Sequence, residues 1–315
     1  MTRTRNLSIL TVSAVVFLSF IPSGRAKAQS DPRSGLLVTS TWLARHVTDA
    51  DIVLLHVGSK DEYDAGHIPG ARFVDLDDIS VSDHEKPGGL MLQMPTPEDL
   101  RQKLAALGIS DNSRIVVYYG NDWVTPATRV VFTLDYAGLG AQTSLLDGGM
   151  QTWKREGNTL SNVKPALRTG TLSTLRIRPL VVDAAWVKSH VGKAGISVVD
   201  GRAAAFYDGV QTGRGMHSSQ RTGHIAGAKS VPFTEITDEN LKLRSREELA
   251  AIFLKAGVQP RDTVVGYCHI GQQATGMLFA ARSLGHPVLL YDGSFEDWSA
   301  HADYPVENPS AKGAR

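Results

Sequence analysis

The chain has 315 residues, with 33 Lys and Arg against 32 Asp and Glu, 42% hydrophobic residues and a single cysteine. That apolar content and a net charge of +1 exclude a disordered chain. One cysteine excludes an intramolecular disulfide or a cysteine-rich zinc site, and the lack of any Lys/Arg run excludes a basic field for nucleic acid.

In chain order, Arg3 and Arg5 come first, then an apolar run from Leu7 to Ile21, then Pro22-Ser23-Gly24 and Ala26-Lys27-Ala28. Basic start, apolar middle and small-x-small end form the three-part secretory signal. The run of 15 residues is shorter than the ~20 that span a membrane, which disfavours an uncleaved anchor. Residues 1–28 are therefore read as a signal peptide cleaved near Ala28-Gln29, leaving no stable membrane anchor. The expected location is periplasmic or secreted. Cleavage removes four basic residues and no acidic one, so the formal charge moves from +1 to −3.

The rest of the chain repeats itself once. Gly66-His67-Ile68-Pro69-Gly70-Ala71 returns as Gly223-His224-Ile225-Ala226-Gly227-Ala228. Glu98-Asp99-Leu100 with Leu107-Gly108-Ile109 returns as Glu247-Glu248-Leu249 with Ala256-Gly257-Val258. Leu146-Asp147-Gly148-Gly149 with Trp153 returns as Tyr291-Asp292-Gly293-Ser294 with Trp298. The landmarks place one domain at 35–155, a polar linker at 156–174 and a second domain at 175–308.

Each half alternates strand and helix signals. In the second, Ile196–Asp200, Thr263–Tyr267 and Pro287–Tyr291 read as short buried strands. Arg246–Ala256 and the stretch from about Gln273 to Leu284 carry helical spacing. The fold class is α/β: two tandem domains, each a mainly parallel sheet with helices on both faces. Ligands of such sheets gather at the carboxyl ends of the strands.

Cys268 stands at one of those ends. It opens the loop Cys268-His269-Ile270-Gly271-Gln272-Gln273 between a strand and a helix. Successive amides in such a loop point inward as an anion nest, and the helix N-terminus adds partial positive charge. Gly271 allows the turn. A lone cysteine is commonly a small buried hydrophobe. Here its position, its loop and its being the only cysteine of an exported chain favour a nucleophilic sulfur, with six inward amides and an opening to solvent.

These residues give the chain its resemblance. Asp200-x-Arg202, Gly223-His224-Ile225-x-Gly227-Ala228, the Cys268 loop with Gly271, and Tyr291-Asp292-Gly293-Ser294 with Trp298 are together similar to the two-domain rhodanese-type sulfurtransferases, the thiosulfate and 3-mercaptopyruvate enzymes. The resemblance implies two rhodanese-like domains and a ping-pong reaction through a Cys268 persulfide. A donor such as thiosulfate gives a sulfane sulfur; cyanide, a thiol or a thiol protein accepts it. No cofactor and no metal are implied. By the 149-residue offset of the landmarks, Tyr119 takes the place of Cys268 in the first half, which is thus inactive and walls one side of a cleft.

Other residues carry weaker expectations. His269, Ile270, Gly271, Gln272 and Gln273 line the donor site, with His269 a partial cation. Arg202 either contacts substrate or orders the loop through an ion pair with Asp200. Arg214 and Arg221 either attract a dianionic donor or are solvated surface charge. His67 and His224 are read as structural, and Met91, Met94 and Pro95 as loop packing. Trp153 and Trp298 are read as packing the domain edges. Mercaptopyruvate enzymes often carry Gly-Ser-Gly after the cysteine, and thiosulfate enzymes cationic residues; His269-Ile270-Gly271 is neither. Phe206 stands where many relatives have an arginine. Thiosulfate is the expected donor, with 3-mercaptopyruvate or a non-turnover sulfur-relay role as alternatives. A cysteine phosphatase is disfavoured because positions 274 and 275 are Ala274 and Thr275, not the arginine that would clamp phosphate.

Overall fold

The computed structural model describes residues 31–312 except 84, 85, 87, 122, 167 and 214–220. The expected leader and Arg214 lie outside the described residues. In the first half the elements run β1 (Leu37–Val38), α1 (Ser40–His46), β2 (Ile52–Val57), α2 (Lys60–Ala65), β3 (Arg72–Val74), α3 (Pro97–Ala106), β4 (Arg114–Tyr119), α4 (Thr125–Tyr136), β5 (Thr143–Leu146) and α5 (Gly149–Arg155). The second half runs β6 (Val181–Val182), α6 (Ala184–His190), β7 (Ile196–Asp200), α7 (Ala204–Tyr207), β8 (His224–Ile225), β9 (Lys229–Ser230), α8 (Arg246–Lys255), β10 (Thr263–Tyr267), α9 (Gln273–Leu284), β11 (Val288–Tyr291), α10 (Ser294–Ala300), β12 (Val306–Glu307) and α11 (Pro309–Lys312).

Two five-stranded sheets result, ordered β1-β5-β4-β2-β3 and β6-β11-β10-β7-β9, with every pair parallel. Their central strands are apolar runs, Ile-Val-Val-Tyr-Tyr in β4 and Val-Val-Gly-Tyr in β10, because both faces are covered. Helix starts follow local chemistry. Thr39, Ser59, Thr96, Asp183 and Ser245 each accept a backbone N–H in the first turn of their helix. Gly285 closes α9 in the left-handed conformation.

The duplication is exact at the strand ends. The Tyr118 hydroxyl accepts the Ile68 amide at 3.1 Å, and the Tyr267 hydroxyl accepts the Ile225 amide at 3.1 Å. Tyr118 and Tyr267 are thus counterparts, and Tyr119 occupies the place of Cys268. Trp153 and Trp298 do not pack edges, as the sequence suggests. Both are buried in the apolar layers on the outer sheet faces, with their indole N–H groups donating to the Thr159 and Pro305 carbonyls.

One apolar cluster runs through both halves, from Leu36 to Leu290. Its middle is the crossing of α4 on α9. There the Thr128 and Thr275 hydroxyls meet at 3.0 Å, and Arg282 Nη1 lies 3.0 Å from Asp135 Oδ2. The described residues of 156–180 contain no helix or strand, yet they are no loose tether. The Gly170 amide donates to Ala105 O at 2.8 Å, Ser173 Oγ donates to Asp111 Oδ2 at 2.6 Å, and Leu172 enters the core. The polar composition that marks this stretch as a linker is spent on bonds to the first half.

Gly276 sits where α9 meets α4; a Cβ there would lie 3.0 Å from Thr125 Cγ2 and 3.2 Å from Ile236 Cδ1. A bulkier side chain forces the helices apart. Gly276→Val is expected to lose about 1–3 kcal/mol, read as a lowered urea midpoint with an unchanged slope.

Candidate active site

Cys268 follows β10 directly, and α9 begins at Gln273. The loop between them owes its shape to where its carbonyls go. Cys268 O accepts the Phe295 amide at 3.0 Å and His269 O accepts the Glu296 amide at 3.1 Å, both from the first turn of α10. Gly271 O accepts Arg129 Nη1 at 3.1 Å. Gln272 O accepts the Thr275 amide at 3.0 Å and the Thr275 hydroxyl at 2.6 Å. In a trans peptide the N–H points opposite to the C=O, so carbonyls held on the outside turn the following amides inward.

Among the described residues, the amides of His269, Ile270, Gly271, Gln272 and Gln273 donate to no protein acceptor. Helix α9 also lacks a side-chain N-cap, unlike α8, whose first turn carries a full capping box. The peptide planes turn four of these donors, the amides of His269, Ile270, Gln272 and Gln273, into the loop interior beside a helix N-terminus, a setting for negative charge. The sequence reading counts six. The sixth, the amide of Cys268 itself, donates to Ser294 Oγ at 3.2 Å.

Ser294 is strained for this task. Its φ is +53°, where its counterpart in the first half is Gly149 at +49°. A non-glycine residue there carries a conformational cost. The hydroxyl fixes Cys268 N–H and donates to Tyr291 O at 3.0 Å, while the same turn sends the Phe295 and Glu296 amides to the loop.

The expected opening to solvent is absent in this conformation: Cys268 is 0% exposed and belongs to the shared apolar cluster. Its Sγ accepts no hydrogen bond among the described residues. A cavity of about 360 Å³ lies against the same loop, between the halves. Ile270 and Gln272 line it from one side, and Gly58, Asp75, Met91 and Trp123 from the other. A donor in this cavity reaches the sulfur only when a covering group moves.

Arg202 is 2% exposed and forks onto Asp200, with Nη2 2.6 Å from Oδ2 and Nε 3.0 Å from Oδ1. Nη2 also donates to Gly223 O at 2.7 Å, and the guanidinium lies 4.3 Å from the Phe295 ring centre. Burial pulls its pKa down, but Asp200 more than offsets this and the guanidinium is held charged beside Cys268. Of its donors, only Nη1 lacks a protein partner among the described residues. Asp200 and Arg202 thus form the ion pair that orders the strand end, leaving one donor for a ligand.

Arg221 is placed elsewhere than a donor-binding role requires. Its Nη2 donates to the Trp298 and His301 carbonyls at 3.1 and 3.0 Å. Those cap the C-terminal end of α10, whereas the Cys268 loop meets its N-terminal end, about 10 Å away at 1.5 Å per residue. His224 stacks on Tyr207 at 3.7 Å, and its Nδ1–H donates to Tyr207 O at 2.7 Å. His67 repeats this with Tyr63, at 4.0 Å and 2.8 Å. Both rings staple the Gly-His-Ile turn. Gln272 Nε2 reaches Thr125 Oγ1 at 3.4 Å, and Gln273 Oε1 is buried with no partner.

Phe206 packs edge-on to His269 at 4.6 Å. Instead of the expected partial cation, His269 is neutral: burial, and after it Arg202, lower its pKa from 6.5 to about 4. Sequence reasoning also missed Arg129 and the role of residues 91–94. Met91 N donates to Glu296 Oε2 at 3.1 Å, and Met94 N to Asp292 Oδ2 at 2.8 Å. The Asp147/Asp292 repeat was a visible signal, since Leu243 N likewise donates to Asp147 Oδ1 at 3.0 Å. Nothing in the sequence says that each loop crosses to the other half.

The lowered His269 pKa has a pH consequence. The unfolded chain takes up this proton below about pH 6.5, and the folded one only near 4. Stability is therefore fully present above 6.5 and falls as the pH drops through that window. His56, buried and lowered from 6.5 to about 4, acts with the same sign. The urea midpoint is expected to fall steeply from neutral pH to about pH 4.5, and less steeply in His269→Asn.

Comparison with known proteins agrees with this geometry. The rhodanese-like domain model matches twice, at residues 39–156 and 183–301. The 3-mercaptopyruvate sulfurtransferase of Escherichia coli K12 is 34% identical over 285 residues, covering 86% of this chain and 97% of the relative. The thiosulfate sulfurtransferase of Pseudomonas aeruginosa is 30% identical over 276 residues, covering 86% and 97%. An anaerobic ergothioneine biosynthesis enzyme from Chlorobium limicola shares the fold at a TM-score of 0.76 and 23% identity, covering 88% of this chain and 71% of that one. Two parallel-sheet halves, one ending a central strand in Tyr119 and the other in Cys268 under unpaired amides, make this chain a tandem sulfurtransferase of the rhodanese family.

Proposed function

We propose that the protein moves a sulfane sulfur from thiosulfate to cyanide or a thiol through a Cys268 persulfide. The observation that carries this reading is the row of five unpaired amides. In the first half-reaction the Cys268 thiolate attacks the outer sulfur of thiosulfate. A sulfur–sulfur bond forms at Cys268, and the donor's own sulfur–sulfur bond breaks with its electron pair leaving on sulfite. In the second, cyanide attacks the outer persulfide sulfur and thiocyanate departs, returning the thiolate.

The transferred sulfur extends the anion about 2 Å beyond Sγ, toward donors that the protein leaves unpaired. Such preorganised donors stabilise a charge without reorganising when it forms. Arg202 Nη1 is the one guanidinium donor beside Cys268 without a protein partner among the described residues.

Thiosulfate is favoured because the loop side chains offer little to a keto acid. Ile270 has no hydroxyl, and Phe206 has no charge for a carboxylate. The second reading, 3-mercaptopyruvate as donor, draws on the 34% identity to the Escherichia coli enzyme of that name. A sulfur-relay role draws on the 29% identity to a sulfur carrier protein of Thermus thermophilus. Export to the periplasm or medium, with the chain starting at Gln29, completes the proposal.

Incubation of the purified protein with thiosulfate is expected to add about 32 Da to the intact mass, reversed by cyanide with release of thiocyanate. Cys268→Ser removes both while keeping the fold. A mass gain from 3-mercaptopyruvate alone selects the second reading, and a persulfide that cyanide cannot discharge selects the relay. Fractionation followed by N-terminal sequencing tests export; an intact Met1 in the cytoplasm overturns it.

A further inference from the structure

The half that lacks the cysteine supplies one of the groups that shape the cysteine's loop. Arg129 belongs to α4 of the first half and is 1% exposed. Its Nη1 donates to Gly271 O at 3.1 Å and to Asp292 Oδ1 at 2.9 Å, both in the second half. Its Nη2 donates to Leu92 O. A planar guanidinium suits this fork; an ammonium would not span it. A buried arginine needs such partners to offset its desolvation.

The duplication shows what Arg129 replaces. Leu92 and Leu241, 149 residues apart, are both left-handed, at φ +52° and +59°. The Leu241 carbonyl accepts the Tyr119 hydroxyl at 2.6 Å. In the other half no tyrosine can serve, because Cys268 stands there. The Leu92 carbonyl is met instead by Arg129, which goes on to hold Gly271.

We infer that Arg129 is a positioning residue for sulfur transfer: by holding the Gly271 carbonyl outward, it turns the Gln272 amide toward the sulfur that Cys268 carries. The other three carbonyl anchors, Phe295 N, Glu296 N and Thr275, come from the catalytic half itself. Arg129 is the anchor that crosses between the halves. The contact needs a glycine, since φ at Gly271 is +83° and a Cβ would lie 3.0 Å from Arg129 Nη1. The first half is thus a working part of the site as well as a wall.

This rests on the persulfide reading, and the test separates the two. Arg129→Lys keeps a charge against Asp292 but cannot also hold Gly271. Asp147→Asn weakens the equivalent clamp on Leu243, which touches no part of the Cys268 loop. In the lysine variant the persulfide is expected to decay at least about tenfold faster, with kcat falling more than the donor KM rises. Asp147→Asn should lose stability only. Equal effects of the two variants, or an unchanged persulfide lifetime in Arg129→Lys, overturn the inference. In the unaltered protein the Gln272 amide resonance should shift downfield on sulfur loading; a stationary resonance overturns it even if the lysine variant does not fold. A protein that takes up no sulfur from thiosulfate or 3-mercaptopyruvate defeats the functional reading, while the lifetime of a persulfide formed with inorganic polysulfide, which leaves as the shortened polysulfide, still decides the role of Arg129.

Discussion

A backbone carbonyl and the amide on the other side of the same peptide plane point in opposite directions, and the Cys268 loop is built on that constraint. The carbonyls of Cys268, His269, Gly271 and Gln272 all have partners on the outside. The amides that follow them are left facing inward without a protein acceptor. Leaving buried donors unpaired costs stability in a resting protein. The arrangement is useful only to a group that brings negative charge into the loop during a reaction. Its carbonyl partners come from α10, from α9 and from the opposite half, so the loop's shape is a property of the whole assembly.

Duplication supplied the two halves, and one substitution at equivalent places divides their labour. Tyr119 uses its hydroxyl to close on Leu241 O, filling the space where a reactive sulfur would sit. Cys268 leaves that bond unmade, and Arg129 takes over the corresponding carbonyl at Leu92. The two Asp landmarks, Asp147 and Asp292, each receive an amide from the other half, Leu243 and Met94. The interface is nearly two-fold in its backbone bonds and asymmetric in its side chains. Ser294 is asymmetric in the same sense, carrying strain that Gly149 avoids in order to bond the Cys268 amide.

The electrostatics of the site are backbone electrostatics. His269 is neutral, Arg202 is mostly committed to Asp200, and Arg221 caps α10. Charge on the sulfur is therefore met by oriented dipoles and a single free guanidinium donor among the described residues. Such a site favours a compact anionic intermediate over a large multiply charged one. Cys268 itself is closed off from water in this conformation.

The sequence alone determined the α/β class and the duplication and marked Cys268 as the candidate nucleophile, because these are local or periodic. Strands β7 and β10 and helices α8 and α9 fall within a residue of where their apolar spacing puts them. The tyrosine at Cys268's place follows from a constant offset. Cys268 stands out because there is no second cysteine. Only the tertiary structure decided which polar groups serve the loop. Arg129 lies 142 residues from Gly271, and nothing in the sequence of α4 marks it as reaching across. Arg202 and Arg221 look alike as charges near a Gly-His-Ile motif; their partners separate them. The physical reason is that pairing depends on where helix ends and carbonyls point after packing, and a one-dimensional pattern records spacing, not direction.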